Sequence, residues 1–189
     1  MQETKSELVL PGDFIGTSEE FLPGPGTYEA DGNICAANVG TVQVNSKERS
    51  VSVLPRTDVP PIPHEGNIVI GRILDLKGSV ALVDIACIKG QEDRAIAIPE
   101  QGAIHISNVK NAYVKDLSYE FGYQDIVRAK VIDAKTLRLS TDGRDLGVIK
   151  AFCSKCTTAL KRKGDKLECP KCKRTETRKI TEDYGSGIV

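Results

Sequence analysis

The stretch "NIVIGRILDLKGSVALVDIACI", residues 67–88, decides the fold of the middle of this 189-residue chain. Its two apolar runs, "NIVIGRIL" and "SVALVDIACI", are separated by the polar "DLKGS" and have the length and β-branched content of strands. Three more strand candidates follow, "AIHIS" (103–107), "DIVRAKVID" (125–133) and "TLRLST" (136–141). Five short strands in so compact a segment predict a small closed barrel of the oligonucleotide-binding (OB) type.

A second β unit precedes these strands. In "TVQVNSKERSVSV" (41–53), valines alternate with other residues on both sides of a polar turn, which is the pattern of a hairpin. The segment "LPRTDVPPIPHEG" (54–66) carries four prolines and is predicted to be a linker, because proline lacks the backbone donor that a central strand needs. The chain is therefore expected to be mainly β, with three small modules at residues 1–60, 61–145 and 146–189.

The third module contains four cysteines in two CxxC pairs, Cys153 with Cys156 and Cys169 with Cys172. This spacing is typical of a zinc ribbon, in which each pair supplies two thiolates to one tetrahedral Zn²⁺. Four thiolates leave no ligand position for water, so the single zinc ion is expected to be structural. A redox CxxC and an iron–sulfur site remain as alternatives. We expect Cys169→Ser to release the metal and unfold the ribbon while the barrel stays folded.

The net charge of zero hides an uneven distribution along the chain. Residues 1–60 contain 4 Lys and Arg against 9 Asp and Glu, whereas residues 146–189 contain 11 against 5. An acidic head and a basic tail suggest different partners for the two ends. The basic hairpin "LKRKGDK" (160–166) is consistent with either a solvated turn or a contact to phosphate or to an acidic partner.

Several other classes of protein are disfavoured. The sequence has no HExxH, P-loop or GxSxG motif, and its carboxylates are scattered, so no catalytic residues are predicted. The N-terminus is charged and has no apolar run long enough for a signal peptide or a membrane span, so a cytoplasmic protein without membrane contact is expected. Cys35 and Cys87 stand alone in apolar surroundings and are expected to be buried packing residues.

The strand candidates of the barrel also contain basic residues. His105 stands where the third strand candidate ends, a position at which a lone histidine is more often structural or merely exposed than functional. Arg128 and Lys130 alternate with apolar residues in the fourth candidate, so both are expected on the solvent-facing side of the sheet. There they would suit a backbone phosphate, but they would be equally common as ordinary surface residues.

The same segments resemble a known family. "GNIVIGRILDLKGSVALVDI", "GAIHISNV", "DIVRAKVID" and "LRLS" are similar to the S1-type RNA-binding domain, a five-stranded OB barrel. With "VLPGDFIG", "EEFLPGPGTYEADGNICAANVG" and "VSVLP" in front and the four-cysteine ribbon behind, residues 8–182 resemble the archaeal Csl-four type cap subunit of the RNA-degrading exosome. The order of the three modules is more specific than any one motif.

The resemblance implies a non-catalytic RNA-binding subunit that takes part in RNA degradation and processing. Caps of this family sit on a hexameric RNase-PH-like ring, attach mainly through the N-terminal domain, here residues 1–60, and guide single-stranded RNA 3′ ends to the pore. A primase-like protein associated with the exosome is a further implied partner. The alternative is a free-standing translation or transcription factor built from the same OB and ribbon modules.

Transferring the family's RNA-binding positions to this chain exposes a departure. Where S1-type domains commonly place two base-stacking aromatics, this chain reads "DLKGSVAL", with Lys77 and Val80 instead. Tyr123, in "GYQD" where the family has "GD", is a candidate replacement aromatic.

The basic positions of the family are better represented. The family's histidine is kept as His105, and its basic residue near the last turn is met by Lys135 or Arg138. Without the two aromatics, RNA binding is expected to be weak, salt-sensitive and dominated by phosphate contacts. The candidate RNA-binding residues are His105, Lys77, Arg128, Lys130, Lys135 and Arg138.

Overall fold

The computed structural model describes residues 2–58, 60–94, 96, 101–164 and 166–187, and for residues 2–7 it describes the backbone alone. The chain divides into two compact units, one before Pro60 and one from Pro60 onward. The division falls inside the proline-rich stretch, where the missing backbone donors prevent a strand from continuing from one unit into the other.

The first unit consists of two small, mostly antiparallel sheets that share one apolar core. The predicted hairpin is confirmed, since Val42 lies opposite Val53 and Val44 lies opposite Val51. The sheets have the strand orders β1-β6-β7-β3 and β2-β5-β4. Their strands are β1 (Gln2–Val9), β2 (Phe14–Thr17), β3 (Leu22–Pro23), β4 (Thr27–Ala30), β5 (Asn33–Ala36), β6 (Gly40–Asn45) and β7 (Ser50–Pro55). The core residues are Val9, Ile34, Ala36, Val42, Val51 and Val53.

The second unit begins with the predicted five-stranded barrel, whose strands are β8 (Ile68–Lys77), β9 (Val80–Ile88), β10 (Gln101–His105), β11 (Ile126–Asp133) and β12 (Arg138–Ser140). The order β12-β10-β9-β8-β11 closes into a ring because β12 also pairs with β11. The pairing of β10 with β12 is parallel and the others are antiparallel. The mainly β, OB-like barrel is thus confirmed.

Side chains point alternately inward and outward along each strand, and the inward-pointing apolar ones fill the barrel interior. Ile73, Val83, Ile104, Val127 and Leu139 are fully buried, one from each strand in turn. The connection between β10 and β11 contains two short 3-10 helices, Ile106–Asn108 and Leu117–Tyr119. Leu117 in the second helix is part of the same continuous core.

Gly71 allows β8 to approach β9 closely. A Cβ at this position would lie 2.5 Å from the carbonyl oxygen of Asp84 and 2.6 Å from Cγ1 of Val83. Both distances are well below van der Waals contact, so any larger residue would force the two strands apart.

The four-cysteine ribbon follows the barrel and is joined to it. Strand β13 (Gly147–Lys150) pairs with β11, and the ribbon itself contains β14 (Lys161–Lys163), β15 (Lys166–Glu168) and β16 (Thr175–Glu176). Leu160, Leu167 and the two buried cysteines belong to the same core cluster as the barrel interior. Ribbon and barrel therefore share one hydrophobic core.

Cys35 in β5 and Cys87 in β9 are only half-buried, so the expectation that both are buried packing residues is wrong. Their strands have one face turned outward, and both side chains lie near that surface.

Over the part of the chain that the structure describes, no helix has the length and apolar character needed to cross a membrane.

Candidate metal centre and nucleic-acid interface

The fold brings the four predicted metal ligands into one cluster. The Sγ atoms of Cys153, Cys156, Cys169 and Cys172 all lie within 4.8 Å of one another. The shortest separations are 3.4 Å between Cys156 and Cys169 and 3.5 Å between Cys153 and Cys172, so the sulfurs are not bonded as disulfides. A tetrahedral Zn²⁺ with bonds of about 2.3 Å holds its sulfurs roughly 3.8 Å apart. The cluster thus has the size and donor set of a four-thiolate metal site.

A tight turn positions the first cysteine pair. The backbone N–H of Thr157 donates to the carbonyl oxygen of Cys153 at 2.9 Å, and the N–H of Cys153 donates to the carbonyl oxygen of Thr158 at 2.9 Å. Thr157, which directly follows the second cysteine of the pair, has a φ of 54°. This left-handed conformation reverses the chain within the turn.

The second cysteine pair repeats the same turn. Lys173 N–H donates to the carbonyl oxygen of Cys169 at 3.0 Å, and Cys169 N–H donates to the carbonyl oxygen of Arg174 at 2.9 Å. Lys173 has a φ of 59°. In addition, the N–H of Cys172 points at the Cys169 sulfur at 3.5 Å. Two equivalent turns facing one another supply the sulfurs in two pairs, as a tetrahedral ion requires.

The environment of the sulfurs makes their acidities unequal. Burial raises the pKa of the Cys153 thiol to about 11. Hydrogen bonds from the side chain and backbone of Thr158, followed by one from Cys169, lower the pKa of the Cys156 thiol to about 6. A bound dication would favour the thiolate form of every sulfur.

A buried polar network connects the first cysteine turn to the barrel, and no local sequence pattern indicated it. Asp125 is fully buried and accepts hydrogen bonds from the N–H groups of Gly122 at 2.7 Å and Phe152 at 3.0 Å. Arg178 donates its Nε hydrogen to the same carboxylate at 2.7 Å. The partners are up to 53 residues apart, which explains why alternation and spacing missed them.

The network continues from Arg178 into the ribbon. A second nitrogen of Arg178 donates to Glu176 at 2.6 Å, and the other oxygen of Glu176 accepts from the N–H of Ser154 at 3.0 Å and from its hydroxyl at 2.9 Å. Ser154 directly follows the first metal-ligand candidate, Cys153. The position of the first cysteine turn is therefore fixed relative to the barrel by charge-assisted hydrogen bonds.

Arg128 is not on the solvent-facing side of the sheet, and that expectation is wrong. Its side chain is 3% exposed, pairs with Asp183 at 2.8 Å and donates to the carbonyl oxygen of Asp145 at 3.2 Å. Asp183 in the C-terminal segment and Asp145, just before β13, lie against the Arg128 guanidinium. Lys130, two residues further along β11, is exposed as expected.

The outer face of the barrel brings several other candidates together. Lys77 lies opposite Val80, and Val80 lies opposite His105, so these residues form one row across β8, β9 and β10. Lys77 and His105 are exposed and Val80 is half-buried. Paired residues of antiparallel strands point to the same side of a sheet. The row therefore places the cationic Lys77 and the polar His105 on either side of the small apolar Val80.

A neighbouring row adds Arg138 to the same face. Arg138 in β12 lies beside Ala103, which in turn lies opposite Leu82 in β9. Arg138 is exposed, and Leu82 is half-buried. Asp75 lies opposite Leu82 and forms a 3.8 Å ion pair with Lys77, which places one carboxylate among these cations.

Hydrogen bonds orient the His105 ring. Its Nδ1 accepts from the backbone N–H of Ser107 at 3.3 Å and lies 2.7 Å from the hydroxyl oxygen of Ser107. Because Nδ1 accepts, the neutral ring carries its proton on Nε2. The exposed imidazole can therefore offer a hydrogen-bond donor to a ligand on the outer face.

The last candidate, Lys135, lies in the turn between β11 and β12. Its backbone N–H donates to the Asp133 carboxylate at 2.9 Å, and its side chain is exposed. Of the six candidates, Lys77, His105 and Arg138 are brought together by strand pairing. Lys130 and Lys135 are exposed elsewhere on the β11–β12 hairpin, and Arg128 is buried.

Comparisons with known proteins show which sequences this chain is similar to. Residues 8–45 match the family described as the N-terminal region of the exosome complex exonuclease RRP4. The chain is 42% identical to exosome complex component Csl4 of Archaeoglobus fulgidus, over 95% of this chain and 98% of that protein.

Relatives of lower identity include a human Csl4 and an Rrp4 protein. Exosome complex component CSL4 of Homo sapiens is 29% identical over 90% of this chain and 91% of its own length. Exosome complex component Rrp4 of Methanothermobacter thermautotrophicus is 32% identical over 76% of this chain and 42% of its own length. On its end-to-end similarity to the archaeal protein, this chain belongs to the family of exosome complex component Csl4.

Proposed function

We propose that this protein is a non-catalytic RNA-binding cap subunit of an archaeal exosome. Residues 1–60 attach it to a hexameric RNase-PH-like ring, residues 61–145 bind single-stranded RNA, and residues 146–189 form a ribbon around one structural zinc ion. The cap guides RNA 3′ ends to the pore of the ring, where degradation and processing take place. A primase-like protein associated with the exosome is a further proposed partner.

One observation carries the RNA-binding part of the proposal, which is the strand register that aligns Lys77, Val80 and His105 on the outer face of the barrel. OB barrels bind oligonucleotides on the face of the second and third strands, here β9 and β10. Lys77 and Arg138 supply charge for phosphates, and His105 supplies a donor. Arg128 is left out of the proposed surface, because its buried guanidinium is engaged by Asp183.

Exposed apolar residues support attachment through the first unit. Leu8 and Leu54 flank Thr41 in a single row across β1, β6 and β7. They are 59% and 53% exposed and lie on the sheet face opposite the buried Val42 and Val53. Among the residues of this unit whose side chains the structure describes, Leu10, Phe14, Leu22 and Tyr28 are also strongly exposed. Such a set on a small domain is typical of a protein interface.

The donor set supports zinc as the metal. All four ligand candidates are sulfurs, which soft or borderline-soft ions such as Zn²⁺ prefer, and the ribbon surrounding them is small. When four thiolates complete the coordination of an ion, water has no position at which it could be activated. This supports a structural ion and a chain that leaves RNA cleavage to the ring.

The interface proposal is tested by co-purification. The tagged full-length chain should retain ring subunits from lysate of the source organism, identified by mass spectrometry. A Leu8→Asp/Leu54→Asp variant should lose them, while Ile132→Asp, an exposed apolar position in the second unit, should retain them. Retention of the ring by the double variant, or association of the chain with ribosomes or polymerase instead, would contradict the proposal.

The non-catalytic assignment has a separate test. The purified chain is incubated with end-labelled RNA in the presence of Mg²⁺ and inorganic phosphate. We expect intact RNA with the cap alone and shortened RNA after addition of the ring. Shortening by the cap alone that persists through further purification would show that the chain has an active site of its own.

A further inference from the structure

A cleft of about 360 Å³ opens beside the first cysteine turn of the second unit. It has two aromatic walls, Tyr123 from the connection before β11 and Phe152 from the segment after β13. The remaining lining residues are Gln124, Cys153, Ser154, Thr157 and Arg178. Its volume is in the range of small-ligand sites in proteins.

A sharp turn places the tyrosine at the mouth of the cleft. Gln124 has a φ of 70°, and its N–H donates to the carbonyl oxygen of Ile73 at 3.0 Å. The next residue, Asp125, turns inward and is fully buried, whereas Tyr123 is 65% exposed. Part of the Tyr123 ring is therefore open to a ligand, and a tyrosine offers both a flat apolar surface and a polar hydroxyl.

The wall formed by Arg178 is fixed in place. Its guanidinium is held by Asp125 at 2.7 Å and by Glu176 at 2.6 Å, and its side chain is only 5% exposed. Gly122 lets the guanidinium lie against the backbone, since a Cβ there would be 2.3 Å from an Arg178 nitrogen. The cleft therefore does not depend on a mobile side chain on this side.

Three basic side chains lie on segments that adjoin the cleft. Lys150 Nζ lies 5.8 Å from the centre of the Phe152 ring, and Lys155 and Arg174 are exposed on the adjoining cysteine turns. The two acidic groups next to the cleft, Asp125 and Glu176, are both paired with Arg178. The surroundings thus match a ligand that combines a flat ring with a negatively charged backbone.

We propose that this cleft binds one base of single-stranded RNA, stacked on Tyr123, with the adjoining phosphates held by Lys150 and Lys155. The inference rests on the proposed RNA-binding function and adds a second contact outside the row of Lys77 and His105. Gln124 and Thr157 supply side-chain amide and hydroxyl groups for the base edge. The exposed cations Lys155 and Arg174 on the adjoining cysteine turns favour a ligand with a flat ring and a negative charge over an uncharged apolar peptide side chain.

The test compares RNA affinity in variants of the full-length protein. Fluorescence anisotropy with a short labelled oligouridylate should show a dissociation constant about tenfold higher for Tyr123→Ala, the loss of one stacked base. Tyr123→Phe should bind like the unaltered protein, since the ring is kept. Tyr113→Ala removes a 90% exposed tyrosine that is not among the lining residues and should also leave binding unchanged. Thermal unfolding of each variant checks that the fold is retained.

A second readout identifies the base as the ligand. An oligonucleotide of the same length with abasic positions should bind the unaltered protein and Tyr123→Ala equally. Ultraviolet irradiation of the oligouridylate complex should cross-link the peptide that contains Tyr123.

Equal oligouridylate affinity of Tyr123→Ala and the unaltered protein, with weakened binding by Lys77→Ala, would overturn the inference while the proposed function stands. Unchanged RNA affinity of Tyr123→Ala together with loss of a ring subunit would assign the cleft to a protein partner and also overturn it. If the unaltered chain does not bind RNA, the proposed function and the inference both fail.

Discussion

Arg178 donates its Nε hydrogen to the carboxylate of Asp125 at 2.7 Å, and the two side chains are 5% and 0% exposed. This ion pair joins the segment that leaves the ribbon to the residue that precedes β11 of the barrel. With the continuous core around it, the pair makes ribbon and barrel one structural unit.

Loss of the Arg178 guanidinium should destabilise the whole second unit. Arg178→Met leaves the Asp125 carboxylate buried without its cation, and burial already raises the pKa of that group. Removing one partner of a buried pair typically costs about 3–5 kcal/mol. We expect the free energy of unfolding, measured by urea denaturation, to fall by this amount.

Arg174→Met provides the matched control for that experiment. Arg174 is exposed and donates to the Ser154 hydroxyl at 3.2 Å, so its loss should change the free energy of unfolding by less than about 0.5 kcal/mol. Equal effects of the two substitutions would show that the Asp125 pair contributes nothing specific.

The shared core changes the expected outcome of Cys169→Ser. The sequence alone predicts that the ribbon unfolds while the barrel stays folded. Because Cys169 and Leu167 pack in the same cluster as Val127 and Leu139, loss of the metal should also loosen the barrel. We expect metal content to fall to zero and the free energy of unfolding to drop by more than about 3 kcal/mol.

Hydrogen exchange distinguishes the two outcomes. Amides of the barrel strands should lose protection in Cys169→Ser and keep it in Cys87→Ser, which alters a half-buried cysteine outside the metal cluster. Full protection of β9 and β10 in a metal-free Cys169→Ser protein would contradict a shared core and restore the first expectation.

The cysteine turns contain a strain that glycine should relieve. Thr157 is β-branched and has a φ of 54°, a conformation that costs an L-residue roughly 1–2 kcal/mol. Glycine removes this cost, but it also raises the conformational entropy of the unfolded chain, which offsets part of the gain. Thr157→Gly should therefore stabilise the protein by about 0.5–1 kcal/mol. Lys155→Gly, at an exposed position of the same turn without a positive φ, should destabilise it instead. Thermal unfolding measures both, and a lower midpoint for Thr157→Gly would contradict the argument.

Asp183 should make stability depend on pH. Hydrogen bonds from the Thr181 side chain and from Arg128 lower the pKa of its carboxyl below the usual value. A carboxylate whose pKa is lower in the folded state stabilises the fold above its unfolded pKa, and that contribution is lost as the pH falls through the folded pKa. The unaltered protein should therefore be more stable than Asp183→Asn near neutral pH, and the difference should vanish in acid. A difference that stays constant from about pH 7 to about pH 2 would contradict the assigned pairing.

The sequence allowed the local features to be predicted and missed those made by distant segments. Alternation in residues 67–88 and the two CxxC pairs are patterns within single strands and turns, and both predictions hold in the structure. The burial of Arg128 was missed because its cover comes from Asp183, 55 residues later. The Asp125–Arg178 pair, which spans 53 residues, was missed for the same physical reason.

The central claim, that the barrel presents a phosphate-binding face to single-stranded RNA, is tested most directly by measuring affinity at increasing salt concentration. For the unaltered full-length protein, the logarithm of the association constant should fall linearly with the logarithm of salt concentration. Lys77→Ala/Arg138→Ala should bind more weakly and reduce the slope by about 1.4, because two phosphates are no longer neutralised by side-chain cations. An affinity that scarcely changes with salt, or a double variant that binds like the unaltered protein, would contradict the account.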